Sequence, residues 1–383
     1  MPTGNLPTRP QTCKVESTLT LHEGERGETG PLYTRILATN PDGQHQGALL
    51  LTAEVYRNVG ERGPVFPVWR STDNGMTWER IGDVPDTRFG WGNRYQPMIY
   101  ELKSPFAGLE AGTLLLAGSS IPADLSETHL VIYQSVDGGV SWTFCSEIDA
   151  GGPADYDPGA GSRSTAIWEP HLDLIDDVLV CYYADERYKN RDMLQTLVHR
   201  TTTDLLAWTD RVLDFGVSDR FIRPGMFVST GRLPDGTFRA VLEIVGPREV
   251  PIYFARSDDG LNWGPPDQIG TKLTSESGTT LVGTPNISWR ENADGRIGLL
   301  ATGRLSMESD GTLSNNALYN PDRGEAPWTT IPLPIQAPRE LEGENSGYSQ
   351  SVVWAADGAL VHATTVRNSH RSHDIVVARA VEA

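Results

Sequence analysis

The sequence has few cysteines, a shortage of basic residues and no long apolar run. Three cysteines, Cys13, Cys145 and Cys181, cannot all pair with one another, and their spacing supports neither a disulfide framework nor a zinc site. The 32 basic against 50 acidic residues give a net charge of −18, which disfavours nucleic acid and anionic membranes as partners. No stretch reaches the length of a membrane span. We therefore expect no metal, no cofactor, no nucleic acid and no membrane contact.

The sequence does contain a repeated apolar segment. Hydrophobic residues make up 38% of the chain, with 10 Trp and 12 Tyr, which is enough for a core. One apolar run that opens on a turn residue recurs six times, about sixty residues apart. The copies are GALLLTAEV from Gly47, GTLLLAGSS from Gly112, DVLVCYYAD from Asp177, GTFRAVLEI from Gly236, GRIGLLATG from Gly295 and GALVHATTV from Gly358. A unit of this length is too long for one hairpin and predicts a four-stranded blade.

Turn residues and strand-like runs on either side of these copies extend the pattern. Four copies follow an Asp-Gly pair, which favours a tight hairpin and makes each copy the second strand of its blade. A third strand follows each copy, and the chain ends on the sixth of them, DIVVARAVEA. The missing fourth strand is predicted at Ser17 to Gly24. The expected fold is all-β, a single domain over 1–383 that forms a six-bladed β-propeller closed by its N-terminal strand.

A turn motif, Ser-x-Asp-x-Gly-x-Ser/Thr-Trp, follows several third strands. Two copies contain Asp73 and Asp137, and a third is read at Asp258 with Arg256 in place of the Ser. Trp208 and Trp328 mark two eroded copies. The motif resembles the Asp-box of sialidase-type propellers. Its Asp caps turn N–H groups and its Gly supplies a left-handed position, so we predict a structural role and no catalytic one.

The start of each first strand and the end of each second strand should lie on the face opposite these turns. Glu169 and Glu243 stand there in otherwise apolar strand sequence, where burial raises a carboxyl pKa. Two carboxyls with separated pKa values suit glycoside hydrolysis. The alternative is that each Glu only pairs with an arginine such as Arg223. Glu54 is the main rival as a catalytic carboxylate, and Asp185 follows it.

Four segments resemble glycoside hydrolase family 93, the exo-arabinanases. They are WEPHLDLIDDVLVCYYADERYKNRDMLQTLVHRTTTDLLAW (168–208), RPGMFVSTGRLPDGTFRAVLEI (223–244), WGNRYQPMIYEL (91–102) and SGYSQSVVW (346–354). The resemblance implies that Glu169, after Trp in the WEP segment, and Glu243, at the end of the strand after RPGM, carry the reaction. It also implies that Tyr348 hydrogen-bonds the nucleophile. The loops at 57–66 and 151–164 do not match the family pattern.

The implied function is a retaining exo-hydrolase that releases arabinobiose from the non-reducing end of α-1,5-linked L-arabinan. By analogy with sialidases, Glu243 is the nucleophile and Glu169 the acid/base, and the reverse assignment stays open. We expect an extracellular monomer, secreted with a signal peptide that is not within this sequence. The residues predicted to bind substrate are Arg35, Trp91, Tyr95, Tyr183, Asp185 and Arg223.

Two other functions remain open. A sialidase would need three arginines for a substrate carboxylate, which Arg223, Arg304 and Arg367 could supply. A non-catalytic carbohydrate-binding propeller would be expected to repeat its sugar-binding residues in every blade. The polar groups here differ from blade to blade, which favours one central site.

Overall fold

The computed structural model describes residues 13–26, 30–55, 63–155, 162–337 and 346–382. In this part of the chain the regular structure is β-strand apart from one 3-10 turn at Lys189–Arg191. No helix in it is long and apolar enough to cross a membrane. The strands are β1 (Cys13–His22), β2 (Leu32–Ala38), β3 (Leu49–Glu54), β4 (Phe66–Ser71), β5 (Glu79–Val84), β6 (Asn93–Glu101), β7 (Leu114–Ser120), β8 (Thr128–Ser135), β9 (Thr143–Gly151), β10 (Ile167–Ile175), β11 (Val178–Asp185), β12 (Thr196–Thr202), β13 (Val212–Phe215), β14 (Arg223–Arg232), β15 (Phe238–Val245), β16 (Ile252–Ser257), β17 (Thr271–Lys272), β18 (Thr280–Val282), β19 (Asn286–Glu291), β20 (Ile297–Thr302), β21 (Leu305–Met307), β22 (Leu313–Ser314), β23 (Asn316–Asn320), β24 (Thr329–Pro332), β25 (Ser351–Trp354), β26 (Leu360–Arg367) and β27 (His373–Glu382). The all-β prediction is confirmed.

The strands form four-stranded antiparallel sheets that follow the sequence repeat. In chain order, sheets 1 to 6 are β2-β3-β4-β5, β6-β7-β8-β9, β10-β11-β12-β13, β14-β15-β16-β17, β19-β20-β23-β24 and β25-β26-β27-β1. Each of the six repeated segments supplies the second strand of its sheet, as predicted. A small three-stranded sheet, β18-β21-β22, accompanies sheet 5 and was not predicted.

The N-terminal strand belongs to the last sheet. β1 pairs antiparallel with β27, from Cys13 opposite Glu382 to His22 opposite Ile375. The sequence placed this strand at Ser17 to Gly24, so the observed strand begins and ends earlier. It ends before Gly24 because the Gly24 N–H donates to the Asp374 carboxylate at 3.0 Å instead of to a ladder carbonyl. The first and last described segments of the chain therefore share one sheet.

The first strands of the six sheets contact one another in a cycle. β2 contacts β6, β6 contacts β10, β10 contacts β14, β14 contacts β19, β19 contacts β25, and β25 contacts β2. Side chains of one first strand bond to backbone N–H groups of the next: Leu174 N–H donates to the Tyr100 hydroxyl at 3.0 Å, and Ser229 N–H donates to His171 Nε2 at 3.1 Å. The starts of the first strands are thereby brought to one end of the assembly.

Sheets bury both of their faces against their neighbours. In β11, Tyr182 packs with Phe227 and other residues of sheet 4, whereas Tyr183 packs with Leu130 and other residues of sheet 2. Because both faces of such a strand are apolar, it reads as a continuous apolar run without alternation. Burial of this kind supplies the main stabilisation of the fold.

The turns after the third strands are held by aspartate side chains. The Asp137 carboxylate accepts the N–H and hydroxyl of Ser141 at 2.9 and 2.6 Å, and the Trp142 ring N–H donates to the Gly139 carbonyl at 3.0 Å. Asp73 makes the equivalent bonds to Thr77. These turns lie at the end of the sheets opposite the starts of the first strands.

The third copy of this turn corrects the sequence-based alignment by one residue. Asp259, and not Asp258, accepts N–H groups of the turn, from Leu261 and Asn262 at 2.9 and 2.7 Å. Ser257, and not Arg256, provides the hydroxyl, which accepts the Gly260 N–H at 2.9 Å. This turn has one residue fewer between its Asp and its Gly than the other copies, so matching it on the glycine displaced the assignment.

Candidate active site

A residue with left-handed backbone lies in or just before the first strand of every sheet. The six residues are Tyr33, Gln96, Glu169, Met226, Thr284 and Ser349. Glu169 has φ 64°, and the register between β10 and β11 shifts at this point. Such angles are uncommon for non-glycine residues and cost about 1–3 kcal/mol each. Their recurrence at matching positions means that the fold imposes a bulge where it gathers these side chains.

Three buried carboxylates accept N–H groups from these bulges. Gln96 N–H donates to Glu54 Oε1 at 2.7 Å, Met226 N–H to Glu169 Oε2 at 2.5 Å, and Thr284 N–H to Glu243 Oε2 at 2.5 Å. Each bond joins one sheet to the next. The structure therefore brings together the two carboxylates predicted to be catalytic and their main sequence rival, Glu54.

Glu169 is a buried carboxyl that holds its proton strongly. Only 8% of the Glu169 surface is exposed. Burial raises the pKa of Glu169 to about 8, the charge of Glu243 adds to the rise, and the Met226 N–H and Arg223 oppose it. At neutral pH this carboxyl is protonated and can donate a proton.

Glu243 lies on β15 in a more positively charged setting. Burial raises its pKa as well, but the Thr284 N–H, Arg223 and Arg304 all favour the ionised form. The two carboxyls are thus electrostatically coupled, since the charge of Glu243 raises the pKa of Glu169. Of the two, Glu243 has the surroundings that better support an anion.

Tyr348 lies within electrostatic range of all three carboxylates. Burial raises the pKa of its phenol well above the ordinary value, and the charges of Glu54, Glu243 and Glu169 raise it further. The phenol is therefore a neutral hydrogen-bond donor at physiological pH. The structure thus places Tyr348 with both predicted catalytic carboxylates.

Tyr33 is a site residue that the sequence analysis missed. Its ring centroid lies 6.3 Å from that of Tyr348, and burial raises the pKa of its phenol in the presence of the same carboxylates. The Arg35 guanidinium lies 4.1 Å from the centre of the Tyr33 ring. The available signal was the position of Tyr33 in the first strand of sheet 1, equivalent to that of Glu169 in sheet 3.

The two arginines predicted to bind substrate, Arg35 and Arg223, have different hydrogen-bond partners. Arg35 is buried and bonds through Nη1 to the Ser349 hydroxyl, and no described residue hydrogen-bonds to its buried Nη2. Arg223 Nη2 donates to Glu186 at 2.9 Å and to Gln195 at 2.7 Å. Arg223 begins β14 and bonds to Glu186, the residue after β11, so it links sheets 3 and 4. Its charge favours the ionised form of both catalytic candidates.

Trp91 and Tyr95 are half-buried aromatic residues near this end. Trp91 stacks on Phe89 with ring centroids 4.6 Å apart, in a loop whose N–H groups are held by Asp86. Tyr95 meets the edge of Trp168, the residue before Glu169, at 6.0 Å. Tyr95 is therefore adjacent to the site, and its contact with substrate stays a prediction, as does that of Trp91.

Tyr183 and Asp185 do not fit the substrate-binding role that the sequence suggested. Both residues have 0% relative exposure. Tyr183 donates its hydroxyl to Asp149 at 2.6 Å, and Asp185 forms ion pairs with Arg187 at 2.7 Å and Arg211 at 2.9 Å. We correct the assignment, because neither side chain offers an accessible atom to a sugar.

No group of three or more His, Cys, Asp or Glu residues in the described chain could hold a metal ion. The three cysteines are free thiols. Of the two loops that depart from the family pattern, residues 57–62 and 156–161 lie outside the described residues. The ionisable groups that influence one another in the site are Glu54, Glu169, Glu243 and the phenols of Tyr33 and Tyr348.

Two surface clefts lie away from this group. One of about 580 Å³ includes Trp263 and Trp328, and the other, of about 510 Å³, includes Trp208 and Arg200. Neither contains a residue that the sequence predicted to bind or transform a substrate.

Solved structures similar to this chain cover nearly its whole length. The α-L-arabinofuranosidase Arb93A from Fusarium graminearum, in complex with an iminosugar inhibitor, has 30% identity and a TM-score of 0.81, over 96% of this chain and 98% of that one. A complex of the Fusarium graminearum enzyme with arabinobiose, also at 30% identity, is described as a GH93 α-L-arabinofuranosidase. The Penicillium chrysogenum α-L-arabinanase with arabinobiose has 32% identity and a TM-score of 0.80, over 97% and 98% of the two chains.

More distant structures share the fold alone. The Hadza microbial sialidase Hz136 has 14% identity and a TM-score of 0.53, over 91% of this chain and 65% of that one. No family model matches the chain, and no curated protein does either.

Proposed function

The chain belongs to glycoside hydrolase family 93, and on that premise we propose that it is a retaining exo-hydrolase of α-1,5-linked L-arabinan that releases arabinobiose from the non-reducing end. The observation that carries the proposal is the buried pair Glu169 and Glu243, in which one carboxyl has a pKa of about 8 and the other lies beside two arginines. A proton donor next to a carboxylate is what glycosidic cleavage requires.

In the first step, Glu169 donates its proton to the glycosidic oxygen while a carboxylate oxygen of Glu243 attacks the anomeric carbon. The C–O bond to the leaving sugar breaks and a covalent glycosyl-enzyme forms. The surroundings described above support these roles, because Glu169 holds its proton and Glu243 has Arg223 and Arg304 to favour its anion.

In the second step, Glu169, now ionised, takes a proton from water as the water oxygen attacks the same carbon. The bond to Glu243 breaks, and the sugar leaves with its original anomeric configuration. In the intermediate Glu243 carries no charge, so the pKa of Glu169 is no longer raised by that charge, which suits Glu169 to act as a base at this stage.

Tyr348 and the arginines would orient these groups. We assign Tyr348 as a donor to Glu243, because its phenol remains protonated and lies within the electrostatic reach of that carboxylate. The half-buried Tyr95 and Trp91 are assigned to contact with the sugar. The buried Arg35, which bonds to Ser349 and lies over the Tyr33 ring, is assigned to holding Tyr33 in place. Arg223 is assigned to orientation of the carboxylates.

The fold we propose for this function is one domain, 1–383, that forms a six-bladed β-propeller of sialidase type with Asp-box turns. The cyclic contacts of the first strands, the aspartate-held turns and the similarity to a sialidase support it. The pairing of β1 with β27 supports closure of the ring by the N-terminal strand. A polymeric substrate supports a secreted, extracellular enzyme. The net charge of −18 supports the proposal that nucleic acid and anionic membranes are not partners, and we propose a monomer.

The sialidase alternative has less support from the site. Its arginine cluster would need Arg223 to receive a substrate carboxylate, but the Nη2 of Arg223 is already bound by Glu186 and Gln195. The carbohydrate-binding alternative does not account for a buried carboxyl with a pKa of about 8 that the charge of a second buried carboxyl helps to raise.

Product analysis tests the proposed function. Linear α-1,5-arabinan incubated with the purified protein should yield arabinobiose as the first product, detected by anion-exchange chromatography. Proton NMR of the newly released end should show the anomeric configuration of the substrate. Release of arabinose alone would refute the exo-biose mode, and an inverted product would refute Glu243 as nucleophile. Cleavage of a sialoside without cleavage of arabinan would refute the substrate class.

A further inference from the structure

We propose that Glu186 is a positioning residue for Glu169 that acts through Trp168 and Arg223. The proposal rests on the proposed function, since it takes Glu169 as the proton donor. Glu186 is the residue directly after β11, beyond the six repeated segments, and it was not among the residues predicted to form the site. Its carboxylate is fully buried.

One carboxylate oxygen of Glu186 links two residues that flank Glu169. Oε1 accepts the ring N–H of Trp168 at 2.9 Å and Arg223 Nη2 at 2.9 Å. Trp168 precedes Glu169 on β10, and Arg223 begins β14 in the next sheet. Because charge-assisted hydrogen bonds to a buried carboxylate are strong and directional, Glu186 fixes both neighbours of Glu169 relative to each other.

Gln195 completes the hold on Arg223. Its Oε1 accepts Arg223 Nη2 at 2.7 Å, and its Nε2 donates to the Pro224 carbonyl at 2.8 Å. A Cβ at Gly225 would lie 2.8 Å from Gln195 Nε2 and 3.2 Å from Glu169 Oε2. The Glu169 carboxylate therefore rests against a backbone segment that Gln195 and Glu186 hold in place.

Glu186 also balances the charge of Arg223. The groups that face Glu169 are Glu243, Arg223, Glu186 and the phenols of Tyr33 and Tyr348. Arg223 favours ionisation of Glu169, whereas Glu186 opposes it. Lys189 Nζ lies 3.6 Å from Glu186 Oε2 on the far side. With Glu186 in place, the charge of Arg223, which favours ionisation of both Glu169 and Glu243, is partly neutralised, and Glu169 keeps its proton.

Glu186→Gln separates charge from geometry. The amide oxygen can still accept from Trp168 and Arg223, but the negative charge is gone. We expect the alkaline limb of the kcat/KM profile on arabinan to move to lower pH by about 0.5–1 unit. A ¹³C NMR titration of the Glu169 carboxyl without substrate should show the same shift. Glu110 is an exposed residue at the end of the sheets that carries the aspartate-held turns, which we call the turn end. The control variant Glu110→Gln should give the wild-type profile.

Glu186→Asp makes the complementary change. It keeps the charge but withdraws the oxygen by one methylene, so we expect kcat to fall about tenfold with the alkaline limb unmoved. A wild-type alkaline limb in folded Glu186→Gln, or a wild-type kcat in Glu186→Asp, would overturn the proposal. If Glu186→Gln does not fold, the Glu186→Asp result decides alone.

Failure of the proposed function would look different. In that case the wild-type protein would not cleave arabinan, whereas the NMR titration of Glu169 would still report whether Glu186 controls its ionisation.

Discussion

The two ends of the sheets both place carboxylates against backbone N–H groups, with opposite results. At the turn end, slight burial raises the pKa of Asp137, but the hydrogen bonds from Ser141 and Ser135 outweigh it and lower the pKa to about 2. At the other end, Glu169 accepts the Met226 N–H, yet burial and the charge of Glu243 raise its pKa to about 8. A backbone hydrogen bond alone therefore does not decide the protonation of a carboxyl.

Asp86 shows how much hydrogen-bond donors can lower a pKa. Like Glu169 it has little exposed surface, 5%, but it is less deeply buried. Its oxygens accept four N–H groups, from Arg88, Phe89, Trp91 and Gly92, and the Ser120 hydroxyl. Burial raises its pKa, but these donors together lower it below the ordinary value. Glu169 differs because it is more deeply buried, has fewer donors and is exposed to the charge of Glu243, and this combination makes a proton donor.

The largest expected effect is the loss of activity when either central carboxyl is changed. Glu169→Gln and Glu243→Gln should each lower kcat on arabinan by about 10²–10⁴-fold, because proton donation or covalent catalysis is removed. Steady-state kinetics with circular dichroism as a control for folding measures this. Azide should restore turnover in Glu243→Ala if that residue is the nucleophile. If azide instead restored turnover in Glu169→Ala and gave a product with the anomeric configuration opposite to that of the substrate, Glu169 would be the nucleophile and Glu243 the acid/base.

The next largest effect is the dependence of kcat/KM on pH, which the ionisation of Glu169 and Glu243 should set. Glu169 must be protonated to act, so kcat/KM should fall about tenfold per unit above pH of about 8. Glu243 must be ionised, so the rate should also fall in acid, on a limb above the ordinary Glu value of 4.5. Because the folded-state pKa of Glu169 is raised, its contribution to stability is present below about 4.5 and is lost as pH rises to about 8. A flat profile between pH 5 and 9 would contradict the assignment.

The same substitution, glycine to alanine, can be made at one glycine of each end, which allows the two ends to be compared. Gly225→Ala should lower kcat by about tenfold to a hundredfold, because the new methyl would contact Gln195 and displace Glu169. Gly236→Ala is the control at the turn end, where no atom lies within 4 Å but φ is +87°. It should cost about 1 kcal/mol of folding free energy and leave kcat unchanged. Kinetics and urea unfolding of both variants test this, and the reverse pattern would refute it.

The smallest effect is expected at an aspartate of the turn end. Asp137→Ala removes hydrogen bonds to Ser135 and Ser141 at an exposed turn. The free energy of unfolding should fall by about 1 kcal/mol, since each such bond contributes little in water. Thermal unfolding measures the loss, and kcat at 25 °C should equal that of the wild type. A large loss of kcat would mean that the turns act on the site.

Much of this fold is readable from the sequence because the repeat is regular. The second strands open on turn residues, and a polar residue inside an apolar strand, such as Glu169 or Glu243, is conspicuous. Their meeting could be predicted because strand direction fixes which ends of the strands share a face. The N-terminal strand could be predicted because the sixth sheet lacked a fourth strand.

The errors come from features without a local signal. Tyr183 was misplaced because both faces of β11 are covered, so no alternation shows which residues point to the site. The left-handed bulge at Glu169 depends on contacts between sheets and not on its own residue type. Tyr33 and Glu186 were missed because they act through neighbours from other sheets, which no spacing in the chain records.

The pairing of β1 with β27 has a mechanical consequence. Cys13 lies opposite Glu382, so the two ends of the described chain leave the same edge of the sheet side by side. A force that separates these ends would load one hydrogen-bonded pair at a time, as a zipper opens, and not the whole ladder in shear. The seam that joins the last sheet to β1 is therefore loaded in the geometry that resists tension least, since its hydrogen bonds break in succession.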